Sequence, residues 1–578
     1  MIKRYLPFSR PPGLQSPFVR IAPTPSRYLK STVTYVPPQA WSKMSAPLPL
    51  TPDLSNTRPQ RRQHDGNSSR NQKRRRLERA PKPVKEGGAE EVLQADISSL
   101  MSTLGLTQPE VPSSAQDLPP EFSEIELTIK TLSSTGDGLA EHNGRIYVVP
   151  FSIPGDVVTA KVIRHTTTHS ITDFLSVKSP SQDRDNSLIG CKYFSTCSGC
   201  QFQMLPYAKQ LEHKRNVIQK AYDSFSNLDP KLLPGIGDTV GSPLQYGYRT
   251  KLTPHFDGPR RGGFKTGDPT PDIGFMVKGR RQVLDIEDCP IGTDILREGI
   301  KTARKYVEEN LHTYKRGATI LLRESTTRRL REEGEAGNTK WVEEKECITD
   351  NNAQTTEYIG DYKFVNPAGA FFQNNNSILP AFTDYVRSKL HYPVLTTSPD
   401  GTRTITSTPP KYLVDAYCGS GLFSIICGKD LTGVIGVDIA ADSIAYASSN
   451  AAANNIENAR FIAGNAEKIF ESIDFPGTET SVVVDPPRKG CDKLFLDQLL
   501  EFKPKRVVYV SCNVHTQARD LGYILSGKGG GYRVDEIRGF DFFPQTHHVE
   551  GVATLTWVGE EGIANLLEEA NDKSGDLL

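Results

Sequence analysis

Ser481-Val482-Val483-Val484-Asp485-Pro486-Pro487-Arg488 and, further on, Val507-Val508-Tyr509-Val510-Ser511-Cys512-Asn513 decide the fold. Each is a Val-rich apolar run that stops at polar turn residues, the pattern of a strand covered on both faces in a parallel sheet. Ligands of open α/β sheets gather where such strands end, so Asp485 and Cys512 stand where chemistry is done. A lone cysteine is more often buried than reactive. Cys512 becomes a candidate nucleophile through its neighbours along the chain.

Upstream lies a βαβ pattern. Tyr412-Leu413-Val414-Asp415-Ala416-Tyr417-Cys418-Gly419-Ser420-Gly421 leads into an apolar helix and then Val434-Ile435-Gly436-Val437-Asp438. A strand ending in a Gly turn, with an acid after the next strand, describes a nucleoside-binding Rossmann-like sheet whose Asp438 accepts from ribose hydroxyls. Only Gly419-x-Gly421 is present, and Asp415 repels phosphate, so the turn suits the cationic S-adenosylmethionine (SAM) better than NAD. Gly464-Asn465-Ala466-Glu467 ends a third strand. Before this sheet, Asn366-Pro367-Ala368-Gly369-Ala370-Phe371-Phe372-Gln373-Asn374-Asn375 precedes a helix expected from Ile378 to Leu390, with amides and aromatics suited to a planar ligand.

Toward the N-terminus the texture changes. Cys191, Cys197 and Cys200 lie close together and Cys289-Pro290 follows much later; four thiols brought to one centre make tetrahedral sulfur ligation, and spacing leaves zinc and an iron–sulfur cluster both open. Gln245-Tyr246-Gly247-Tyr248-Arg249-Thr250-Lys251 interleaves aromatic and basic residues, as a nucleic-acid surface or an exposed strand pair does. Arg323 to Thr356 is charged and reads as a surface insertion, and Thr396 to Pro410 as a second loop. From Glu121, alternating Ile125, Leu127 and Ile129, then Ile146 to Val149 and Val157 to Val162, describe a small β-barrel of oligonucleotide-binding type that offers Lys130, Arg145, Lys161 and Arg164 to phosphates. Met1 to about Leu118 is rich in Pro, Ser, Arg and Gln. It is expected to be disordered and to carry no core, with one short helix near Glu90 to Leu104.

The whole chain has 578 residues, 37% hydrophobic and 24% charged, with a net charge of +1: several soluble domains, and no global basic excess to argue for nucleic acid. Nine cysteines, clustered and odd in number, do not make a secreted disulfide framework and imply a reducing compartment. No run of about 18 apolar residues occurs, so no membrane span is expected. Met1 to Pro52 lacks Asp and Glu and fits a mitochondrial transit peptide, although its prolines interrupt the helix such a peptide needs. Arg61-Arg62 and Lys73-Arg74-Arg75-Arg76 read either as a nuclear signal or as a solvated charge run. Mitochondrion, nucleus and cytoplasm all remain open.

With Asp415-x-Tyr417-Cys418-Gly419-x-Gly421, Asp485-Pro486-Pro487-Arg488-x-Gly490, Val510-Ser511-Cys512-Asn513 and Phe543-Pro544-x-Thr546-x-His548-x-Glu550 in this order, the chain resembles the RNA uracil-5-methyltransferase family. The resemblance spans about Glu121 to Gly559. It implies an α/β protein with a C-terminal Rossmann-like SAM-dependent methyltransferase domain over 366–559, a TRAM (OB-like) barrel over 119–180 and a central cysteine-containing α+β domain over 181–365. The extension 1–118 and a tail 560–578 flank them. It further implies Cys512 as nucleophile, Glu550 as proton acceptor, and Gln373, Tyr417, Asp438 and Asp485 as SAM ligands. Cys191, Cys197, Cys200 and Cys289 resemble the [4Fe-4S] ligands of the ribosomal-RNA branch, whereas the fungal-type extension implies uridine 54 of the tRNA T-loop as target. The partner is then RNA, most specifically tRNA, with no membrane and a monomeric enzyme. Asp438 stands where many relatives have Glu, and Asn465 where an acid is common, which leaves the adenine contact open.

The residue types fit the chemistry. Uracil C5 is too weak a nucleophile to attack a sulfonium methyl; adding a thiolate at C6 makes it an enolate that can. After transfer the C5 proton has to leave, which needs a carboxylate in reach. The target base has to leave its stack, for which Phe371, Phe372, Phe542 and Phe543 are candidate platforms. A ribosomal-RNA target, a non-catalytic RNA-binding module and a small-molecule methyltransferase are the rival readings. Transfer of labelled methyl from SAM to bulk tRNA is expected under tRNA methylation and under neither the binding-module nor the small-molecule reading.

Overall fold

The computed structural model describes residues 84–106, 118–259, 262–332, 340–391, 395–397, 403–405, 408–464, 466–526 and 530–559. The basic leader, both basic pairs, Asn465 and the C-terminal tail lie outside the described residues.

Eight strands make the central sheet, in the order Ala459–Ala463, Gly433–Asp438, Tyr412–Ala416, Thr480–Val484, Arg506–Ser511, Glu550–Trp557, Tyr532–Phe540 and Ile236–Val240. The first five are mutually parallel and Glu550–Trp557 runs against both neighbours. Chain order reverses at Tyr412–Ala416, whose neighbours are the second and fourth strands of this unit, so a crevice opens beyond its carboxyl end. Val482, Val483, Val484, Val507, Val508 and Val510 are wholly buried. At roughly 1.5–3 kcal/mol for each such side chain, the valines outweigh the cost of placing polar groups at the strand ends. Helix Lys493–Phe502 begins at Asp492, whose carboxylate accepts from Phe495 N at 2.9 Å, and stops at Lys503 in a left-handed conformation with φ 50°.

Five strands, Glu124–Leu132, Gly138–His142, Arg145–Val149, Val157–His165 and His169–Ser179, close into the expected barrel, its first strand alternating between exposed and buried residues. Lys130 and Arg164 face outward. Arg145 does not: it is buried, and its guanidinium donates to Ser170 Oγ and to the carbonyls of Thr166 and His169. Its place between strand ends makes it a staple of the barrel and not a phosphate ligand.

Three further expectations need correction. Strand Ile236–Val240, assigned to the central domain, is the edge strand of the eight-stranded sheet, and helix Tyr207–Phe225, assigned there too, packs into its core with Tyr509, Leu521 and Ile537. The charged segment after Arg323 is a hairpin, Leu322–Leu330 with Trp341–Ile348, whose base is interior. Arg323 is buried in an ion pair with Glu357 and donates to Asn374 Oδ1 at 2.8 Å, because paired charges enter a core that single charges do not. Finally, the helix near Glu90 exists, over Ala89–Thr103, and it does carry core: Ile97 and Met101 pack on Leu139, Ile146 and Val148 of the barrel.

Candidate active site

Asp485 follows strand Thr480–Val484, and Cys512 follows Arg506–Ser511, so both stand at the carboxyl edge of the sheet. Glu550 is the first residue of strand Glu550–Trp557. Ser511 pairs with Gly551 across antiparallel strands, and this register sets Glu550 beside Cys512 although they lie on different segments. Their electrostatics show the proximity. Burial, with the charges of Glu550 and Asp485, pushes the Cys512 thiol up to about 12; Arg488 opposes this by charge and a hydrogen bond. The same burial, with Asp485 adding to it, holds the Glu550 carboxyl well above the usual range, again against Arg488. Asp485 is pushed up to about 7 by burial and by Asp415.

The loop that delivers Glu550 is fixed from the other side. Gln545, at φ 70°, accepts through its carbonyl from Gln201 N and Phe202 N, and its own N–H donates to Gln210 Oε1 at 3.0 Å. Asp541 pairs with the buried Lys214 and accepts from Tyr207 OH at 2.9 Å, while Lys214 Nζ donates to Phe543 O at 3.0 Å. Thr546 Oγ1 donates back to Phe543 O at 2.8 Å and accepts from His548 N at 3.3 Å, the hydroxyl-stabilised turn that Pro-x-Thr-x-His encodes.

In the crevice, Asp438 accepts from Gly419 N at 3.0 Å and Ala440 N at 2.8 Å, one bond to each carboxylate oxygen, leaving a lone pair on each for ribose hydroxyls. Tyr417 is held at φ 65°, a costly conformation for a side chain of its size, which lifts the backbone over the strand end. Asp415 accepts from Ser424 N and Oγ through Oδ2, while its buried Oδ1 has no partner; burial pushes it up to about 7. An orphaned acid oxygen at the switch point and a free-edged Asp438 fit a cationic nucleoside such as SAM. Gln373 is buried in the loop whose next residue, Asn374, accepts from Thr250 N at 3.0 Å. Ile439, 76% exposed at the rim, escaped sequence reading, its only signal being its place after the ribose acid.

Of the aromatic candidates, Phe372 and Phe542 are core residues packed with Phe382 and Phe364, so they offer no platform. Phe371 is 77% exposed, and Arg249 lies over the Phe543 ring at 5.8 Å. Within the interleaved stretch, Tyr248 is buried and donates to Pro544 O at 3.2 Å, so only part of it faces solvent. The thiols of Cys191, Cys197, Cys200 and Cys289 interact: burial pushes Cys289 up to about 12 and Cys200 higher, each further raised by the other thiols. Yet among the described residues no group of three or more His, Cys, Asp or Glu is arranged to hold a metal ion. The donor chemistry fits a tetrathiolate centre.

A family model described as tRNA (Uracil-5-)-methyltransferase matches residues 401–557, and a TRAM domain model matches residues 121–170. The chain is 52% identical over 484 residues to a tRNA (uracil(54)-C(5))-methyltransferase of Schizosaccharomyces pombe, covering 83% of this chain and 85% of that one. It is 45% identical to the Saccharomyces cerevisiae protein of the same description, over 74% and 73% of the two chains. A crystal structure of Pyrococcus abyssi tRNA (uracil-54, C5)-methyltransferase with S-adenosyl-L-homocysteine superposes with a TM-score of 0.53 at 23% identity, over 75% of this chain and 100% of that one, a likeness of fold. The sheet with its reversed last strand, the closed barrel before it, and this degree of identity over most of the chain place the protein in the tRNA (uracil-5-)-methyltransferase family.

Proposed function

We propose that this enzyme methylates C5 of uridine 54 in the T-loop of tRNA. SAM bound at the switch point supplies an electrophilic methyl group. Cys512 first loses its proton to water and adds as the thiolate to uracil C6, and the C5–C6 electron pair moves toward O4. C5 then takes the methyl. Glu550 accepts the C5 proton, the electron pair left behind re-forms C5–C6, and the thiolate departs. The burial that raises the Glu550 carboxyl makes its carboxylate the more basic acceptor for this proton. Asp438, Asp485, Tyr417 and the buried Gln373 are the SAM contacts in this reading.

The observation that carries it is the Ser511–Gly551 pairing, which sets an acid beside a thiol at the strand ends where the cofactor crevice opens. The target base comes from the two fungal relatives, both named for uracil 54. Incubation with labelled SAM and tRNA from a strain lacking the enzyme, followed by nucleoside mass spectrometry, tests it. One 5-methyluridine at position 54 is expected, none with Cys512→Ala. Unlabelled tRNA beside labelled ribosomal RNA in a parallel incubation overturns the target. We further propose that the four thiols hold a structural metal centre without a redox step, because methyl transfer needs no electron. Iron, zinc and sulfide analysis of anaerobically purified protein decides it, and protein that is metal-free, folded and active refutes it.

A further inference from the structure

Residues 84–106 precede both matched family regions, and the described course of this segment links two parts of the protein that have to act together. At one end, Gly87 O accepts from Asn513 Nδ2 at 3.0 Å, and the same amide donates to Arg488 O at 2.9 Å. Asn513 directly follows Cys512, and Arg488 is the cation that faces both Cys512 and Glu550. Glu86 reaches Arg519 at 3.2 Å, whose guanidinium donates to the carbonyls of Lys489 and Cys491 and so holds the loop after Arg488. Gly87 itself is at φ 64°, and a Cβ there would collide with Thr516 Cγ2; both facts demand glycine. At the other end, Ile97 and Met101 lie in the apolar face of the barrel, and Asp96 accepts from Ser134 N at 2.6 Å and Oγ at 3.2 Å. Lys220 of the Tyr207–Phe225 helix approaches Asp96 at 3.7 Å.

We propose that residues 84–106 are a strap that positions Asn513, and through it Cys512, while fixing the RNA-binding barrel at a set distance from that thiol. A side-chain amide shared between the strap's carbonyl and the Arg488 carbonyl keeps the chain after Cys512 in one orientation. The helix, at the strap's other end, fixes where the barrel sits. Glu86, Gly87 and Asn513 are positioning residues: none touches uracil or cofactor in this reading, which rests on the proposed tRNA methylation.

Two full-chain variants separate the two ends, assayed on whole tRNA and on an isolated stem-loop carrying uridine 54. Gly87→Val is expected to lower kcat about fivefold on both RNAs, the worth of one ordinary hydrogen bond, with SAM affinity unchanged. Should it fail to fold, Glu86→Ala carries the same expectation at about twofold, as a surface ion pair does. Ile97→Asp, which unseats the helix from the barrel, is expected to raise KM for whole tRNA several-fold and to leave both constants for the stem-loop unchanged. Wild-type kcat in the first variant, or equal losses on both RNAs in the second, overturns the strap. If the wild-type control itself makes no 5-methyluridine, the functional reading fails instead.

Discussion

Arg488→Met tests the electrostatics of the thiol. Cys512 sits at about 12 because burial and two carboxyls oppose the thiolate, and Arg488 is the cation that lowers it. An opposite charge within a few ångströms moves a pKa by about 1–3 units, and the solvent exposure of Arg488 puts it at the low end, about one unit. Its removal then cuts the thiolate fraction about tenfold. The more basic thiolate is about threefold better as a nucleophile, on a Brønsted coefficient of about 0.45. The net loss is therefore about threefold, and it should appear equally in single-turnover methyl transfer and in alkylation of Cys512 by iodoacetamide, followed at that peptide by mass spectrometry. In the wild type both rates should climb about tenfold per pH unit through the neutral range, since the thiol titrates far above it. The wild-type-to-variant ratio should approach one in about 1 M salt, where an exposed charge is screened within about 3 Å. Alkylation that is faster in the variant, or a wild-type rate that levels off near neutrality, would refute the assigned balance of charges.

Glu550→Gln leaves thiol addition and methyl transfer possible but removes the acceptor of the C5 proton, so it should accumulate a covalent RNA–protein species that carries label from the SAM methyl group on a denaturing gel; Cys512→Ala should give neither band nor label. Asp415 is raised from 3.8 to about 7, so the native state binds more protons than the unfolded chain between those values. Its contribution is full below about 4 and lost as pH rises through about 7. Calorimetry of the SAM-free protein should show the melting temperature falling over pH 5 to 7.5, and falling less in Asp415→Asn. Phe371→Ala should raise KM for tRNA about tenfold, the lower part of the 1–3 kcal/mol that a stacked base contributes, with SAM affinity untouched. An unchanged KM there would remove Phe371 from the RNA surface.

Periodicity made the parallel strands and the barrel legible, because buried valines and alternating Ile125, Leu127 and Ile129 write their own burial into the sequence. Motif order made Cys512, Glu550 and Asp485 legible. What stayed hidden depends on partners far away along the chain. Arg145 reads as an RNA contact until Ser170 and His169 are folded against it, and Arg323 reads as surface until Glu357 pairs with it. The Pro- and Lys-rich approach to Ala89 has no apolar rhythm, since Glu86 and Gly87 act through a carbonyl and a carboxylate and not through hydrophobic area. The thiol quartet is the reverse case: its pattern reads as a ligand set, while among the described residues no group of three or more His, Cys, Asp or Glu is arranged to hold a metal ion.

The place of Glu550–Trp557, between two strands that precede it in sequence, bears on how the enzyme is made. Until that strand emerges from the ribosome, Arg506–Ser511 presents an unpaired, valine-rich edge, an aggregation hazard for as long as synthesis lasts. The nascent chain meanwhile already contains Cys512 and Asp438 but not the acid that the finished sheet sets beside the thiol. A prematurely terminated chain that lacks this strand therefore lacks Glu550 as well, so the insertion that closes the sheet also completes the Cys512–Glu550 pairing. Fragments released early should be found by chaperones and proteases before they reach a tRNA.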